Sequence, residues 1–169
     1  MKKKRILALI LSVAMLFGII PKMQLLVNAE DTATVYVGGT NASDENEGTE
    51  NAPFQTLAKA ITVLEATGKS NQVVKVIGDY TLTASDGATT HSNMVTISGN
   101  DGNAQLTINA AVYIKGGSLK LENIKLYYAN TSGHLYCLGN ELVLGDGITT
   151  AFPSGGGWWV QMPAFSSGG

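Results

Sequence analysis

Sliding the 169-residue chain along itself by 23 positions lays one glycine-broken β run over another. Tyr113-Ile114-Lys115-Gly116-Gly117-Ser118-Leu119-Lys120-Leu121 meets Tyr136-Cys137-Leu138-Gly139-Asn140-Glu141-Leu142-Val143-Leu144. The tyrosine, one glycine and both leucines coincide, and Asn123 meets Asp146. One unit earlier, Val95-Thr96-Ile97-Ser98-Gly99 meets Val112 to Gly116 at a shift of 17, and Leu106-Thr107-Ile108 then corresponds to Leu119-Lys120-Leu121 after a turn four residues longer. A period drifting between 17 and 23, with length changes only at turns, is the signature of stacked repeats that cannot bury their apolar faces singly.

The repeated runs are strands. From Val73 onward, short segments rich in β-branched and aromatic residues alternate with period two and are broken by Gly, Asn and Asp. Val95, Ile97, Leu106, Ile108, Ile114, Leu119, Leu121, Ile124, Leu142, Leu144 and Ile148 are the expected inward column. Asn109, Asn123 and Asp146 are candidates for a side-chain ladder at the turns. Leucine-rich repeats share the period but need far more leucine and a helical side, so a parallel β-helix is favoured.

Ahead of the repeats stands Val35 to Leu64, in three parts. Val35-Tyr36-Val37 reads as a strand. Gly38 to Asn51 is a loop with four acids and three glycines. Pro53 to Thr67 reads as an amphipathic helix, with Leu57, Ala60, Ile61 and Leu64 at i, i+3, i+4 and i+7. Pro53 suits a first helical turn and Thr56 is a competing cap, while Gly68 closes the helix. Tyr36-Val37, Gly39, Asp44, Gly48-Thr49, Pro53-Phe54-x-Thr56-Leu57 and Ala60-Ile61 resemble the N-terminal cap of secreted right-handed parallel β-helix proteins of the pectate-lyase-like superfamily. The resemblance covers about thirty residues. It implies an all-β, right-handed parallel β-helix (solenoid) with an N-terminal capping α-helix, built on Pro53, Phe54, Thr56, Leu57, Ala60, Ile61 and Leu64.

Residues 1–29 read as a signal peptide: Lys2-Lys3-Lys4-Arg5, an apolar Ile6 to Ile20, and Val27-Asn28-Ala29 at the cleavage site. An uncleaved anchor is the competing reading; the apolar run is short for a spanning helix. Residues 30–70 are then the cap, 71–150 the coils, and 151–169 a Gly/Trp-rich tail, the start of further coils or a truncated end. Past residue 29 the chain carries 6 Lys, no Arg and 13 acids, a formal charge of −7. That balance makes nucleic acid a poor partner, because phosphate backbones need clustered Lys and Arg. The lone Cys137 lies in an apolar run and reads as a buried small hydrophobe.

Chemistry is sparse. Asp44, Glu45, Glu47 and Glu50 could hold calcium, but they fit no EF-hand spacing, and solvated acids on a glycine-turned loop are the favoured reading. Trp158 and Trp159 could stack on sugar rings, although adjacent strand residues point to opposite faces. The resemblance implies polysaccharide lyases or hydrolases. The usual arginine base of that superfamily has no counterpart, and Lys115, Lys120 and Lys125 are the remaining bases. No paired aspartates of the kind glycoside hydrolysis requires are recognisable. The expectation is therefore an exported, non-catalytic module of a surface or adhesin-like protein, without catalytic residues or cofactor, possessing a flank for polysaccharide. The alternative is the first coils of a pectate-type lyase whose catalytic coils follow residue 169.

Overall fold

The computed structural model describes residues 31–83, 86, 89–130 and 132–152. The expected signal peptide, and Trp158 and Trp159 in the tail, lie outside the described residues. The described chain is a parallel β-solenoid of about three turns with one helix. In order it comprises β1 (Thr32–Gly38), α1 (Leu57–Ala66), β2 (Asn71–Ile77), β3 (Asp79–Leu82), β4 (Thr89–His91), β5 (Met94–Gly99), β6 (Gln105–Ile108), β7 (Ala111–Glu122), β8 (Lys125–Tyr128), β9 (His134–Leu144) and β10 (Thr149–Ala151).

The strands make three walls. β4 pairs with the first half of β7, which pairs with the first half of β9. The second wall runs β1, β2, β5, then the second halves of β7 and β9. The third runs β3, β6, β8 and β10. All these pairings are parallel. The 23-residue shift is the true register of the last two coils, with Tyr113 against Tyr136, Leu119 against Leu142 and Leu121 against Leu144.

The 17-residue shift is not a register of the fold. Val95 lies against Leu119 and Ile97 against Leu121, while Leu106 lies against Leu126. The sequence match had laid a strand of the second wall over one of the first, because both alternate in the same way. The ladder also divides. Asn123 and Asp146 share a corner, where the Asn123 N–H donates to the Asp146 carbonyl at 2.8 Å. Asn109 sits at a different corner, its carbonyl accepting from the Asn130 amide at 3.0 Å.

Alternation fills the interior. Val95, Ile97, Leu106, Ile108, Ile114, Leu119, Leu121 and Ile124 are all buried, and Leu142 and Ile148 pack half-buried against them. Leu144 is 60 % exposed, because none of the described coils stacks on β9.

The helix begins four residues later than the periodicity predicts. Thr56 is its cap, in extended backbone (φ −117°, ψ 143°), with its hydroxyl accepting the Lys59 N–H. Pro53-Phe54 stay extended, and Phe54 bridges Val37 of β1. Gly68 follows the helix with φ +66°, as expected of a left-handed terminator. Leu57, Ala60, Ile61 and Leu64 are buried, and α1 packs against β1, β2 and β4.

The corner between the first two walls is built of backbone. Inward positions are Val112 and Ile114 before it, Leu119 and Leu121 after it, so the phase of alternation flips at Gly116 (φ +107°). A methyl on Gly139 would overlap the carbonyls of Gly116 and Gly117 one coil below, whereas Gly102 has nothing within 4 Å. Gly139→Ala should therefore destabilise by about 2 kcal/mol or more, and Gly102→Ala by within about 0.5 kcal/mol. Thermal melts of the two variants against the parent measure this, and equal midpoints would be inconsistent with the close approach.

Candidate functional site

The first wall carries the chain's most distinctive surface. Outward residues in register are Ala111 with His134, Tyr113 with Tyr136, and Thr90 with Lys115 and Leu138. Parallel stacking brings like residues together one coil apart. The Tyr113 and Tyr136 rings lie 4.5 Å apart at 5°. His134 extends the row, its ring 5.6 Å from Tyr136 at 20°. The His134 Nδ1–H donates to the Ser132 carbonyl at 3.1 Å, which fixes the ring's orientation. Tyr113 is 41 % and Leu138 46 % exposed. The patch thus presents two phenol groups, an imidazole, an aliphatic side chain and one lysine, with no carboxylate in these rows.

The three candidate lysine bases do not converge. Lys115 lies on this wall. Lys120 points out of the second wall, paired with Glu122 at 2.5 Å. Lys125 is on the third wall, its ammonium 6.0 Å from the Tyr127 ring centre. Cys137, opposite Ile114, is buried, and burial pushes its thiol up to about 11. It is therefore a protonated core residue at neutral pH.

The acidic loop serves the helix. Asp44 Oδ1 accepts the N–H groups of Gln55 (3.0 Å) and Thr56 (2.9 Å), and its Oδ2 accepts the Thr56 hydroxyl at 2.8 Å. Glu50 accepts from the Asn100 amide at 2.8 Å. Glu45 and Glu47 are exposed. Among the described residues no three His, Cys, Asp or Glu side chains are grouped to hold a metal ion. Gly48 lies flat on the buried Phe54 ring, where any side chain would overlap it, so the loop is shaped by packing.

A second carboxylate at the helix start was not anticipated. Asp86 is 1 % exposed. Its Oδ1 accepts the Leu57 N–H (2.6 Å) and the Tyr80 hydroxyl (2.5 Å), and its Oδ2 accepts the N–H (2.6 Å) and hydroxyl (2.9 Å) of Thr83. Burial, then the neighbouring Asp86 carboxylate, pushes the Tyr80 phenol far up, so it stays a donor. Nothing marked Asp86 beforehand: it is one acid in a polar stretch, Thr83 to Thr90.

At the other end of α1, Glu65 joins the corner between β4 and β5. Burial works to raise its carboxyl, but the N–H groups of Ser92 and Asn93, the Ser92 hydroxyl and the Gln72 amide outweigh this and lower it. Gln72 also donates to the Leu64 and Lys69 carbonyls at 3.2 and 3.1 Å, closing the helix end.

No family model matches the chain, and neither a curated protein nor a solved structure does. The function must therefore be read from these surfaces.

Two outcomes follow for the helix ends. Asp86→Ala takes the acceptor from the buried Tyr80 hydroxyl and from the Thr83 N–H, and leaves the Leu57 N–H only the Tyr80 hydroxyl oxygen at 2.8 Å, so it should destabilise by about 2 kcal/mol or more; the denaturant midpoint reports it, with Tyr80→Phe expected to lose less. Glu65 titrates lower folded than unfolded. Its contribution is thus present above the ordinary carboxylate pKa of about 4.3 and lost as pH falls through the lowered value. Glu65→Gln should reduce Tm at pH 7, and its gap to the parent should close as pH falls through the lowered value. A gap independent of pH would show that the carboxylate's charge plays no part.

Proposed function

We propose that the chain is an exported, non-catalytic β-solenoid module of a surface or adhesin-like protein, holding polysaccharide against its first wall. The observation that carries this reading is the outward row Tyr113, Tyr136 and His134, with Leu138 beside it. Exposed aromatic side chains pair an apolar body with a polar handle, which suits ligands that have both C–H faces and hydroxyls. Since the two tyrosines cover each other's inner faces, they offer ring edges and phenol hydroxyls to a chain lying across the coils. Export rests on the signal-like segment 1–29, and the surface role on the resemblance of the cap to secreted β-helix proteins.

A second reading has one observation in its favour. Lys115 stands on the same wall as the tyrosines, the one of the three candidate lysine bases that does. Neither reading requires the acidic loop to bind calcium, because Asp44 already serves the helix cap.

Affinity electrophoresis through gels containing neutral or acidic polysaccharides tests the first reading. Retardation by at least one polymer is expected, with Tyr113→Ala/Tyr136→Ala weakening it about tenfold, equivalent to about 1.4 kcal/mol. Free migration through every gel, or retention unaffected by the double substitution, would remove the wall from consideration. Unsaturated product formed from polygalacturonate by the parent, and absent with Lys115→Ala, would establish the lyase reading instead.

A further inference from the structure

The corner between the second and third walls, away from the first wall and its aromatic row, contains a hollow of about 270 Å³. Three successive turns build it. The β5–β6 turn contributes Gly102 and Asn103, the β7–β8 turn Asn123 with Lys125 opening β8, and the β9–β10 turn Gly147 with Thr149 opening β10. Ile124, 2 % exposed, closes the floor.

The walls are tied together by backbone. Asn123 N–H donates to the Asp146 carbonyl (2.8 Å), Lys125 N–H to Ala104 (3.0 Å) and Thr149 N–H to Ile124 (3.3 Å). Asn103 N–H is held by the Asp101 carboxylate at 2.9 Å. Asn123 takes φ +49°, a conformation in which asparagine is tolerated and glycine is at ease. Its side chain lies against Gly147, where a methyl would crowd it, and the space beside Gly102 is open. Two glycines thus clear the space and two asparagines line it.

We propose that this hollow is a binding site for one neutral sugar ring. Its side chains, two primary amides and a hydroxyl, both donate and accept hydrogen bonds, as vicinal sugar hydroxyls require. Lys125 is the one charged residue of the lining, and its ammonium lies toward the Tyr127 ring on the third wall, 6.0 Å from the ring centre. An anion would gain little there. The size is just below the range of about 300–1,000 Å³ typical of drug-sized ligands, and so suits a single ring. The site is separate from the polysaccharide-holding wall and does not depend on it.

The side-chain amide signals of Asn103 and Asn123 in the full chain report binding directly by nuclear magnetic resonance. Methyl glycosides of glucose, galactose, mannose and N-acetylglucosamine, up to about 50 mM, should include at least one that shifts them saturably, with Kd in the millimolar range. Asn123→Gly, which keeps the backbone conformation and deletes the amide, should weaken binding about fivefold or more at unchanged Tm. Tyr113→Ala/Tyr136→Ala should leave it intact, which separates this site from the wall. No saturable shift with any glycoside, equal affinity in Asn123→Gly, or saturation by inorganic phosphate alone would each overturn the proposal.

Discussion

Each coil is held to the next by parallel backbone hydrogen bonds, and nearly every other feature follows from that one ladder. Strands at a spacing of about 4.8 Å leave no room for a column to change character abruptly. Apolar side chains must stand on apolar ones, as Val95, Leu119 and Leu142 do, and an outward ring meets another ring, as Tyr113 meets Tyr136. Where the ladder turns, at Gly116 and Gly139, successive coils come so close that backbone packs directly on backbone. The aromatic row and the glycine corner are thus two results of the same constraint.

The first coil meets that constraint with a helix in place of a strand. A helix begins and ends with unsatisfied N–H and C=O groups, and α1 buries both ends against β-structure. Asp44 and Thr56 take the N–H groups at its start, and Asp86 reaches Leu57 from the strand side. At its end Gln72 supplies donors to the carbonyls. Glu65 lies near the negative end of the helix dipole, an unfavourable place for an anion; the polar Ser92–Asn93 corner beside it favours the charged form all the same. The helix is therefore fastened by specific polar groups as well as by its apolar face.

Much of this could be read from the residues alone, for physical reasons that differ by element. The 23-residue register was legible because β7 and β9 bend at matching glycines and keep the same phase. The 17-residue match misled, because period-two alternation is identical on every wall and carries no label for the wall it belongs to. The helix face was legible from its spacing, but its start was not. Pro53 and Thr56 are both good starters, and the pairing of Phe54 with Val37 decided between them. Asp86 was invisible because the partners that give it importance lie 3, 6 and 29 residues away. The aromatic row needed the repeat to be read as a register in space, with Tyr113 and Tyr136 as neighbours.

The corners also differ in what they tolerate. Between the second and third walls the chain takes one residue after β2, five after β5, two after β7 and four after β9 before the next strand. The glycine corner takes two residues between β4 and β5 and none between the halves of the later strands. One edge of the prism is thus a seam whose length changes by a single residue between coils, and another is a margin along which each coil can carry a loop of its own size. Lineages or designers could graft insertions along that margin coil by coil, while the seam keeps the stack in step.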